Sequence, residues 1–267
     1  MIMALFAAFP QELKNVRKNY PSVEYPENRL SPIQGKLHSP CDVIIVQTGV
    51  SVVNVETAFR RVLQECRPDI VLSAGFGGAL YEDAGIGDIV WSSRAFLMEG
   101  KKAGQHEHLM EDEVPDSPLG RRIGEKLREK TSAREGRIVT LSELIAKSKI
   151  KGMIPGDFPF PVCDMETFYL ARLSHQNRLP FLAVRSITDR LNEDIPPELL
   201  AVTDVTGRYH FSRALGLLLA KPKLIPASIR LGRNALRASK NLGMVVDSLV
   251  EILGACRPGN ETAENIC

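Results

Sequence analysis

Carboxyl groups occur in three separate parts of this sequence, each time near the end of an apolar run. Glu12 follows "MALFAAF", and Asp189 ends "FLAVRSITD". Asp164 and Glu166 flank Met165 in "PVCDMETFYLARL". In open α/β sheets the ligand crevice lies beyond the carboxyl ends of the strands, so these acids are candidates for one shared site. Each acid also has an ordinary explanation, because acids favour the first turn of a helix and a strand-end aspartate often only forms a turn.

A fourth stretch, "SAGFGGAL" at residues 73–80, places several glycines at the end of a further apolar run. Glycines let the backbone approach a ligand and leave amide groups free to donate hydrogen bonds. The stretch has neither the Gly-Lys-Ser/Thr of a P-loop nor the spacing of a dinucleotide-binding fingerprint, so it indicates neither site. A tight turn is the alternative explanation for these glycines.

The elements that must position these residues follow from the pattern of apolar runs. Runs rich in valine and isoleucine alternate with helix-length segments over the first ~190 residues, which predicts a layered α/β domain. Because the runs are almost continuously apolar, we expect both faces of the sheet to be covered. The predicted strands are "MALFAAF", "CDVIIVQT", "DIVLSAG", "GDIVWSS", "GRIVTL" and "FLAVRSI". The predicted helices cover about 51–67, 117–131, 143–150 and 164–178, followed by helical sequence from about residue 195. Residues 100–118 have the composition of a polar loop.

Length, charge and cysteine content exclude several classes of protein. The chain has 267 residues, enough for one large domain or two small ones, with 44% hydrophobic and 25% charged residues. A formal net charge of +2 gives no case for nucleic-acid binding. The five cysteines are widely spaced without a C-x-x-C, which favours free thiols in a reducing cytoplasm. The N-terminus lacks the basic region of a signal peptide, and no apolar run is long enough to cross a membrane. We therefore expect a soluble, cytoplasmic protein.

Taken together and in this order, the motifs resemble the nucleoside phosphorylase superfamily, and most closely its 5'-methylthioadenosine/S-adenosylhomocysteine nucleosidase branch. The matching stretches are "ALFAAFPQEL", "QTGVSVVNVETA", "SAGFGGALYEDAGIGDIVW", "DMETFYLARL", "VRSITD" and "ASKNLGMVVDSLVEIL". The resemblance covers roughly 1–200 plus 238–253 and implies a three-layer α/β/α fold with a mixed central sheet and a C-terminal helical extension. These two ranges would form one catalytic domain, with 204–236 as an inserted helical segment and 254–267 as a flexible tail.

Members of this superfamily cleave the N-glycosidic bond between a purine and ribose. Such chemistry needs negative charge near the sugar, an acid for the leaving group and a base for the nucleophile. The resemblance implies that Glu12 activates water, that Asp189 protonates the purine and that Glu166 binds the two ribose hydroxyls. It also implies that Met165 packs against the sugar, while Asp164 has a secondary role as the cap of the helix that follows. No metal or other cofactor is expected for this chemistry.

The glycine stretch and its surroundings indicate which nucleophile attacks the sugar and which purine base is bound. The resemblance places Gly75, Phe76, Gly77 and Gly78 beside the ribose, with Phe76 where nucleosidases commonly have serine. The chain lacks the Gly-Asp-Pro-x-Arg loop that binds phosphate in phosphorylases, so hydrolysis is favoured over phosphorolysis. A non-catalytic nucleoside-binding protein on the same scaffold is a further alternative. The nearest matches to an aromatic residue that stacks on adenine are Leu144 and Ile145, which leaves the choice of purine open.

The segment 204–236 offers two interpretations. Its basic residues Arg230 and Arg233, together with Arg237 and Lys240 just after it, lie on roughly one side of a predicted helix. One interpretation is a helical pair packed on the domain or at an oligomer contact. The other is a basic amphipathic surface that rests on a membrane or covers an apolar substrate. The family includes a branch associated with hopanoid lipid synthesis that removes adenine from an adenosyl-lipid, and its members are typically homo-oligomers of two or more subunits.

Overall fold

One mixed sheet of twelve strands organises the described part of the chain. The computed structural model describes residues 1–20, 22–23, 33–35, 41–49, 51–98, 109–142, 147–193, 196–200 and 217–255. The strands are β1 (Ile2–Ala7), β2 (Ser22–Val23), β3 (Ile33–Gly35), β4 (Asp42–Gln47), β5 (Ile70–Ala79), β6 (Ile89–Ser92), β7 (Ala95–Met98), β8 (Leu109–Val114), β9 (Arg134–Glu135), β10 (Ile138–Leu141), β11 (Val162–Asp164) and β12 (Phe181–Asp189). The helices are α1 (Pro10–Leu13), α2 (Val16–Asn19), α3 (Val52–Glu65), α4 (Pro118–Lys130), α5 (Lys147–Lys151), α6 (Thr167–Gln176), α7 (Pro197–Leu200) and a C-terminal helix (Ile225–Ala255).

The ten-residue strand β5 is the centre of the sheet. Its first half pairs in parallel with β1, which in turn pairs in parallel with β4. Its other edge pairs in parallel with β12 over almost its whole length, and β12 also pairs antiparallel with β6. The last two residues of β5 pair antiparallel with β11. Because β5 has different partners along its length, the sheet curls around it, and the ends of β1, β11 and β12 approach one another.

Helices cover both faces of the sheet, as the alternation of side chains along β1 makes clear. Met3 and Leu5 point to a core shared with α4 and the C-terminal helix, whereas Ala4 and Phe6 point to a core shared with α3 and α6. All nine residues of β12 are buried, which agrees with a strand covered on both sides. The three-layer α/β/α fold with a mixed sheet is thereby confirmed.

Most predicted elements form near their predicted positions. Ser51 begins α3 by accepting a hydrogen bond from the Asn54 amide at 3.3 Å, and Ser117 does the same for α4 from the Gly120 amide at 3.2 Å. The helix predicted over 164–178 is shorter, because Asp164 still belongs to β11 and Glu166 is the N-cap residue. Of the helix predicted over 143–150, the structure describes the part from Lys147 onward.

The prediction of a polar loop over 100–118 is wrong for its second half, where β8 forms. This strand pairs antiparallel with β7, in a register that joins Ala95 to Val114. It lies at one end of the strand order, and its sequence "LMEDEV" is rich in acids. Charged residues are common on edge strands, where they discourage pairing with other chains. The tertiary pairing with β7, rather than local propensity, therefore decides the structure of this segment.

The C-terminal helix is continuous over 31 residues, so the predicted boundary between 204–236 and 238–253 falls inside it. Its second half is buried in the core shared with α4. Asn234 donates to the Thr188 carbonyl at 2.8 Å, and Asn241 donates to the Gly87 carbonyl at the same distance. The helix is thus tied to the end of β12. Among the described residues, no helix has the length and apolar character needed to cross a bilayer.

Truncation of Leu249 in this helix should destabilise the protein far more than truncation of Leu236. Leu249 is 1% exposed and Leu236 is 57% exposed. Leu249→Ala should lower the free energy of unfolding by about 2–5 kcal/mol, because it leaves a cavity in the core. Leu236→Ala should change it by less than about 0.5 kcal/mol. Urea denaturation measures both values, and similar losses for the two variants would contradict this packing.

Candidate active site

The candidate site begins at an opening in the sheet beside β5. Strand β1 ends its pairing with β5 at Phe6 opposite Ser73, and β11 begins its pairing with Cys163 opposite Gly78. The intervening segment 74–77 therefore has no strand partner on that edge within the described part of the chain. Backbone amides at such an opening are free to bind a side chain or a ligand.

Glu12 fills this opening with its carboxyl group. Helix α1 begins directly after β1 with a proline in its first turn, and it carries Glu12 back towards β5. Glu12 Oε1 accepts a hydrogen bond from the Phe76 amide at 2.7 Å, and Oε2 accepts one from the Phe9 amide at 2.8 Å. The residue is 3% exposed. Burial raises the pKa of the Glu12 carboxyl, and the two amides and the Arg185 charge only partly offset this rise.

Glu12 shares a cavity with Glu166. The cavity is small and partly open to solvent, and its lining combines apolar side chains with two acids and one arginine. The lining residues are Phe6, Ala7, Ala8, Glu12, Thr48, Ser73, Ala74, Gly75, Phe76, Glu166, Leu170 and Arg185. Of the residues predicted for the site, Glu12, Gly75, Phe76 and Glu166 belong to this lining.

Glu166 reaches the cavity from the start of α6, where it makes no side-chain capping bond to the helix. Burial raises its pKa to about 8, and the neighbouring carboxyl groups of Asp164 and Glu12 contribute to the rise. The positive charge of Arg185 acts in the opposite direction. Two acids whose pKa values are both raised therefore face the same cavity, which is typical of a functional site.

Arg185 is a site residue that the sequence reasoning missed. It lies in the buried strand β12, and its Nε and Nη2 donate to Asp164 Oδ2 at 2.9 and 2.6 Å. Nη1 donates to the carbonyls of Ser73 and Val184, and Nη2 also donates to the hydroxyls of Ser73 and Thr167. An arginine inside the otherwise apolar run "FLAVRSI" was the available signal, since a charge buried in a strand requires a partner.

Asp164 is committed to this network of hydrogen bonds. Besides Arg185, it accepts from the Thr140 hydroxyl at 2.7 Å and from the Thr167 amide and hydroxyl. The Thr167 amide lies in the first turn of α6, so Asp164 caps the helix and neutralises Arg185 at once. The opening "Asp-Met-Glu" thus directs its first acid into the core and its second acid into the cavity.

Asp189, the last residue of β12, lies beside Gly78 of β5 and is not part of the cavity lining. Gly75, which adjoins Glu12, and Gly78 are three residues apart, which corresponds to about 10 Å along a strand. Asp189 Oδ2 forms an ion pair with the ammonium group of Lys147, and its Oδ1 accepts from the Thr188 hydroxyl at 2.6 Å. Lys147 is a second charged residue that the sequence reasoning missed.

The glycines of "SAGFGG" leave space for these acids. A Cβ atom on Gly75 would lie 2.7 Å from Glu12 Oε1, and one on Gly78 would lie 2.8 Å from Asp189 Oδ2. A Cβ atom on Gly77 would instead meet the Val162 side chain at 2.4 Å, so this glycine permits close packing against β11. Gly75 and Gly78 therefore leave room for carboxyl groups, and all three glycines lie within strand β5 and not in a tight turn.

Three residues predicted for the site remain to be located. Met165, which separates Asp164 from Glu166 in the chain, is half-buried and does not belong to the cavity lining. Leu144 and Ile145, the predicted neighbours of the base, lie outside the described residues. Within those residues, no group of three or more histidine, cysteine, aspartate or glutamate side chains is arranged to hold a metal ion.

This fold agrees with what comparison with known proteins finds. The family model described as "Phosphorylase superfamily" matches residues 2–214, and the chain belongs to this superfamily. A 5'-methylthioadenosine/S-adenosylhomocysteine nucleosidase from Staphylococcus saprophyticus is 30% identical over 172 residues, which is 60% of this chain and 74% of the relative. The corresponding protein of Shewanella loihica is 26% identical over 186 residues, which is 66% of this chain and 81% of the relative.

Solved structures show the same fold at lower sequence identity. One is the S-adenosylhomocysteine nucleosidase of Streptococcus pyogenes in complex with 5-methylthiotubericidin, with a TM-score of 0.66 and 19% sequence identity. The superposition covers 95% of this chain and 97% of that protein's chain. The futalosine hydrolase of Helicobacter pylori has a TM-score of 0.68 and 16% sequence identity. Its superposition covers 94% of this chain and 97% of the hydrolase chain. The predictions of the fold and of an enzyme of this superfamily are thereby confirmed.

Replacement of Glu166 should stabilise the protein, and more so at high pH. The pKa of Glu166 is raised from 4.5 to about 8 in the folded state. Its contribution to stability is therefore fully present below about pH 4.5 and is lost as the pH rises through about 8. Glu166→Gln, which is neutral throughout, should raise Tm by more at about pH 8.5 than at about pH 5 in thermal unfolding experiments. Glu129→Gln, at a side chain that is 61% exposed, is the control. An equal effect of Glu166→Gln at both pH values would contradict the raised pKa.

Proposed function

We propose that this protein is an N-ribosyl purine nucleosidase that hydrolyses the N-glycosidic bond of an adenine-type nucleoside. The observation that carries the proposal is the cavity in which Glu12, held by two backbone amides, faces the same space as Glu166. An acid that cannot rotate away from the reacting atoms, with a second acid beside it, suits attack on a sugar carbon that gains positive charge.

Glu12 is proposed to be the general base that orients and deprotonates the attacking water. A base works best when its pKa lies near the working pH, and burial moves the pKa of Glu12 in that direction. Both oxygens accept amide hydrogen bonds, which fixes the plane of the carboxyl group while each oxygen keeps a further lone pair for water. This position therefore supports a base rather than a residue that only complements a helix dipole.

Glu166 and Met165 are proposed to hold the sugar, and Asp189 is proposed to protonate the departing purine. The carboxyl group of Glu166 has no capping bond and is available to accept from two neighbouring ribose hydroxyls. Asp189 adjoins Gly78 on the same strand whose Gly75 adjoins Glu12, which supports separate roles for the two acids at the base and at the nucleophile. Gly75, Phe76, Gly77 and Gly78 form the strand between them, and Leu144 and Ile145 are proposed to flank the purine.

Water is preferred over phosphate because the cavity offers an anion little to bind. Arg185 is the cation of the lining, and its five N–H groups already donate to Asp164, Ser73, Val184 and Thr167. A phosphate ion would instead meet the carboxyl groups of Glu12 and Glu166. Phosphate sites normally present unoccupied arginine, lysine or amide donors, so phosphorolysis is the weaker alternative.

Glu12→Gln should abolish most of the turnover while the fold is kept. Loss of a general base lowers kcat by about 10²–10⁴-fold. The measurement is chromatographic detection of adenine released from adenosine and from 5'-substituted adenosines, with Glu65→Gln on the surface helix α3 as the control. Full turnover by Glu12→Gln would disprove the assigned role. Nucleoside binding without any base release by the wild type would instead favour the non-catalytic alternative.

The 5'-substituent of the substrate is the finer part of the proposal. Relatives are named for 5'-methylthioadenosine and S-adenosylhomocysteine, and a structural neighbour is named a futalosine hydrolase. We propose a bulky or lipid-like substituent, as in the hopanoid-associated branch, because an exposed apolar stripe extends along the first half of the C-terminal helix. Ile225, Ile229 and Leu236 are 41%, 51% and 57% exposed. They fall within about 40° of one another around the helix.

The same half of the helix is strongly basic, which supports contact with an anionic membrane surface. Residues 217–240 contain six lysines and arginines and no acid. Arg230, Arg233 and Arg237 are exposed beside the apolar stripe. Apolar residues flanked by basic ones are typical of helices that lie on anionic bilayers. A homo-oligomer of two or more subunits in the cytoplasm completes the proposal. The free thiols of Cys41, Cys66 and Cys163 support this location.

The triple variant Arg230→Gln, Arg233→Gln, Arg237→Gln should lose affinity for anionic vesicles. About 1 kcal/mol per basic residue predicts a loss of about 3 kcal/mol in binding to phosphatidylglycerol vesicles. Cosedimentation measures this loss, and vesicles of phosphatidylcholine alone should bind neither protein. The control neutralises Lys126, Arg128 and Lys130 on α4. Wild-type protein that fails to cosediment with anionic vesicles would remove the membrane proposal and leave the nucleosidase proposal intact.

A further inference from the structure

Lys147 forms a buried ion pair with Asp189, and this lysine has no role in the nucleosidase reaction proposed above. Lys147 and Asp189 have side chains that are 8% and 6% exposed. Lys147 Nζ also donates to the Arg190 carbonyl at 2.6 Å and to the Glu193 carbonyl at 2.8 Å. Three acceptors of this ammonium group therefore lie among the described residues, and one of them is the acid proposed to protonate the purine.

This pairing raises a question about the source of that proton. A general acid must carry a proton when the leaving group departs. In an ion pair, however, Asp189 is a carboxylate and the proton resides on Lys147. The leaving purine therefore has to receive a proton that Lys147 holds before the reaction begins.

We propose that Lys147 stores the proton that Asp189 delivers to the leaving base, an inference that rests on the nucleosidase function proposed above. As the glycosidic bond breaks, a proton moves from Lys147 Nζ to Asp189 Oδ2 and from there to a ring nitrogen of the purine. The electron pair of the broken bond stays with the base, which departs neutral. Water supplies hydroxide to the sugar and a proton to Glu12. Glu12 then releases its proton to solvent, and solvent reprotonates Lys147, so atoms and charges balance.

The hydrogen-bond partners of Lys147 suit both its ammonium form and its neutral amine form. An amine has two N–H groups and one lone pair, and these match the carbonyls of Arg190 and Glu193 and a protonated Asp189. Transfer of the proton also replaces two buried charges by two neutral groups, which a site of low polarity favours. Gly78 keeps this space free, because a Cβ atom there would lie 2.8 Å from Asp189 Oδ2 and 3.0 Å from Lys147 Cε.

Other groups around the pair do not compete for this role. The Cys163 thiol lies next to Gly78, and burial together with the Asp189 charge raises its pKa to about 12, so it stays protonated. Thr188 donates its hydroxyl proton to Asp189 Oδ1. Asp164 and Arg185 are bonded to each other. The side chains of Arg190 and Glu193 bond elsewhere, to the Ala84 carbonyl and to the Arg190 amide, respectively.

Lys147→Arg tests the proposal most sharply, because a guanidinium keeps the positive charge but does not release a proton at usable pH. We expect kcat for an adenine nucleoside at about pH 7.5 to fall by about 100-fold or more, the scale of general-acid catalysis. Asp189→Asn should show a loss of similar size. Lys151→Gln, on the same helix and 46% exposed, should match the wild type.

A second substrate separates proton supply from structure. 4-Nitrophenyl riboside releases a phenolate that needs no proton, so Lys147→Arg should keep its turnover of this compound within about threefold of the wild type. Lys147→Met, with thermal unfolding to verify its fold, should behave in the same way. Near wild-type cleavage of the nucleoside by Lys147→Arg would show that the lysine is only a structural tether and would overturn the proposal. Equal loss with both substrates would overturn it as well.

Failure of this proposal is distinguishable from failure of the nucleosidase function. Wild-type protein that releases no base from any adenine nucleoside, at any pH, would refute the function. A wild type that releases base, together with an inactive Glu12→Gln and an active Lys147→Arg, would refute only the supply of the proton by Lys147.

Discussion

The buried guanidinium of Arg185 is the interaction on which the rest of the site depends. It joins β12 to β5 through Ser73 and to the start of α6 through Asp164 and Thr167. Three carboxyl groups, those of Glu12, Asp164 and Glu166, lie close to this one positive charge, and Asp164 neutralises it directly. The two remaining acids therefore face the cavity without a counter-ion of their own, and burial raises both of their pKa values. Either acid, once it has lost its proton, would place negative charge beside a sugar that gains positive charge during bond cleavage.

The architecture of the sheet explains why these groups meet. Strand β1 ends before β5 does, and β11 begins to pair only near the end of β5, so one edge of the central strand is open at the site. Helix α1 carries an acid into that opening, while glycines on β5 leave room for it. A site that contains buried acids costs stability, and the large cores on both faces of the sheet offset that cost.

The sequence predicted the layers and the main acids, but not the partners of those acids. Continuous apolar runs predicted strands such as β12, and the spacing of motifs identified Glu12, Glu166 and Asp189 as candidates. Arg185 was not identified, because its role depends on a partner 21 residues earlier that a linear pattern does not reveal. Lys147 was missed for the same reason, and β8 was missed because pairing with β7 outweighs its polar composition. Long-range pairing is what a single sequence leaves undetermined.

The central claim is that water, and not an anion, attacks the sugar, because the donors of Arg185 are already occupied and two glutamates face the cavity. Base release in water enriched in ¹⁸O, followed by mass spectrometry of the ribosyl product, tests it directly. We predict one ¹⁸O atom at C1 of the free sugar, with the same yield whether or not inorganic phosphate is added. A ribosyl 1-phosphate without the label, formed when phosphate is present, would contradict the account.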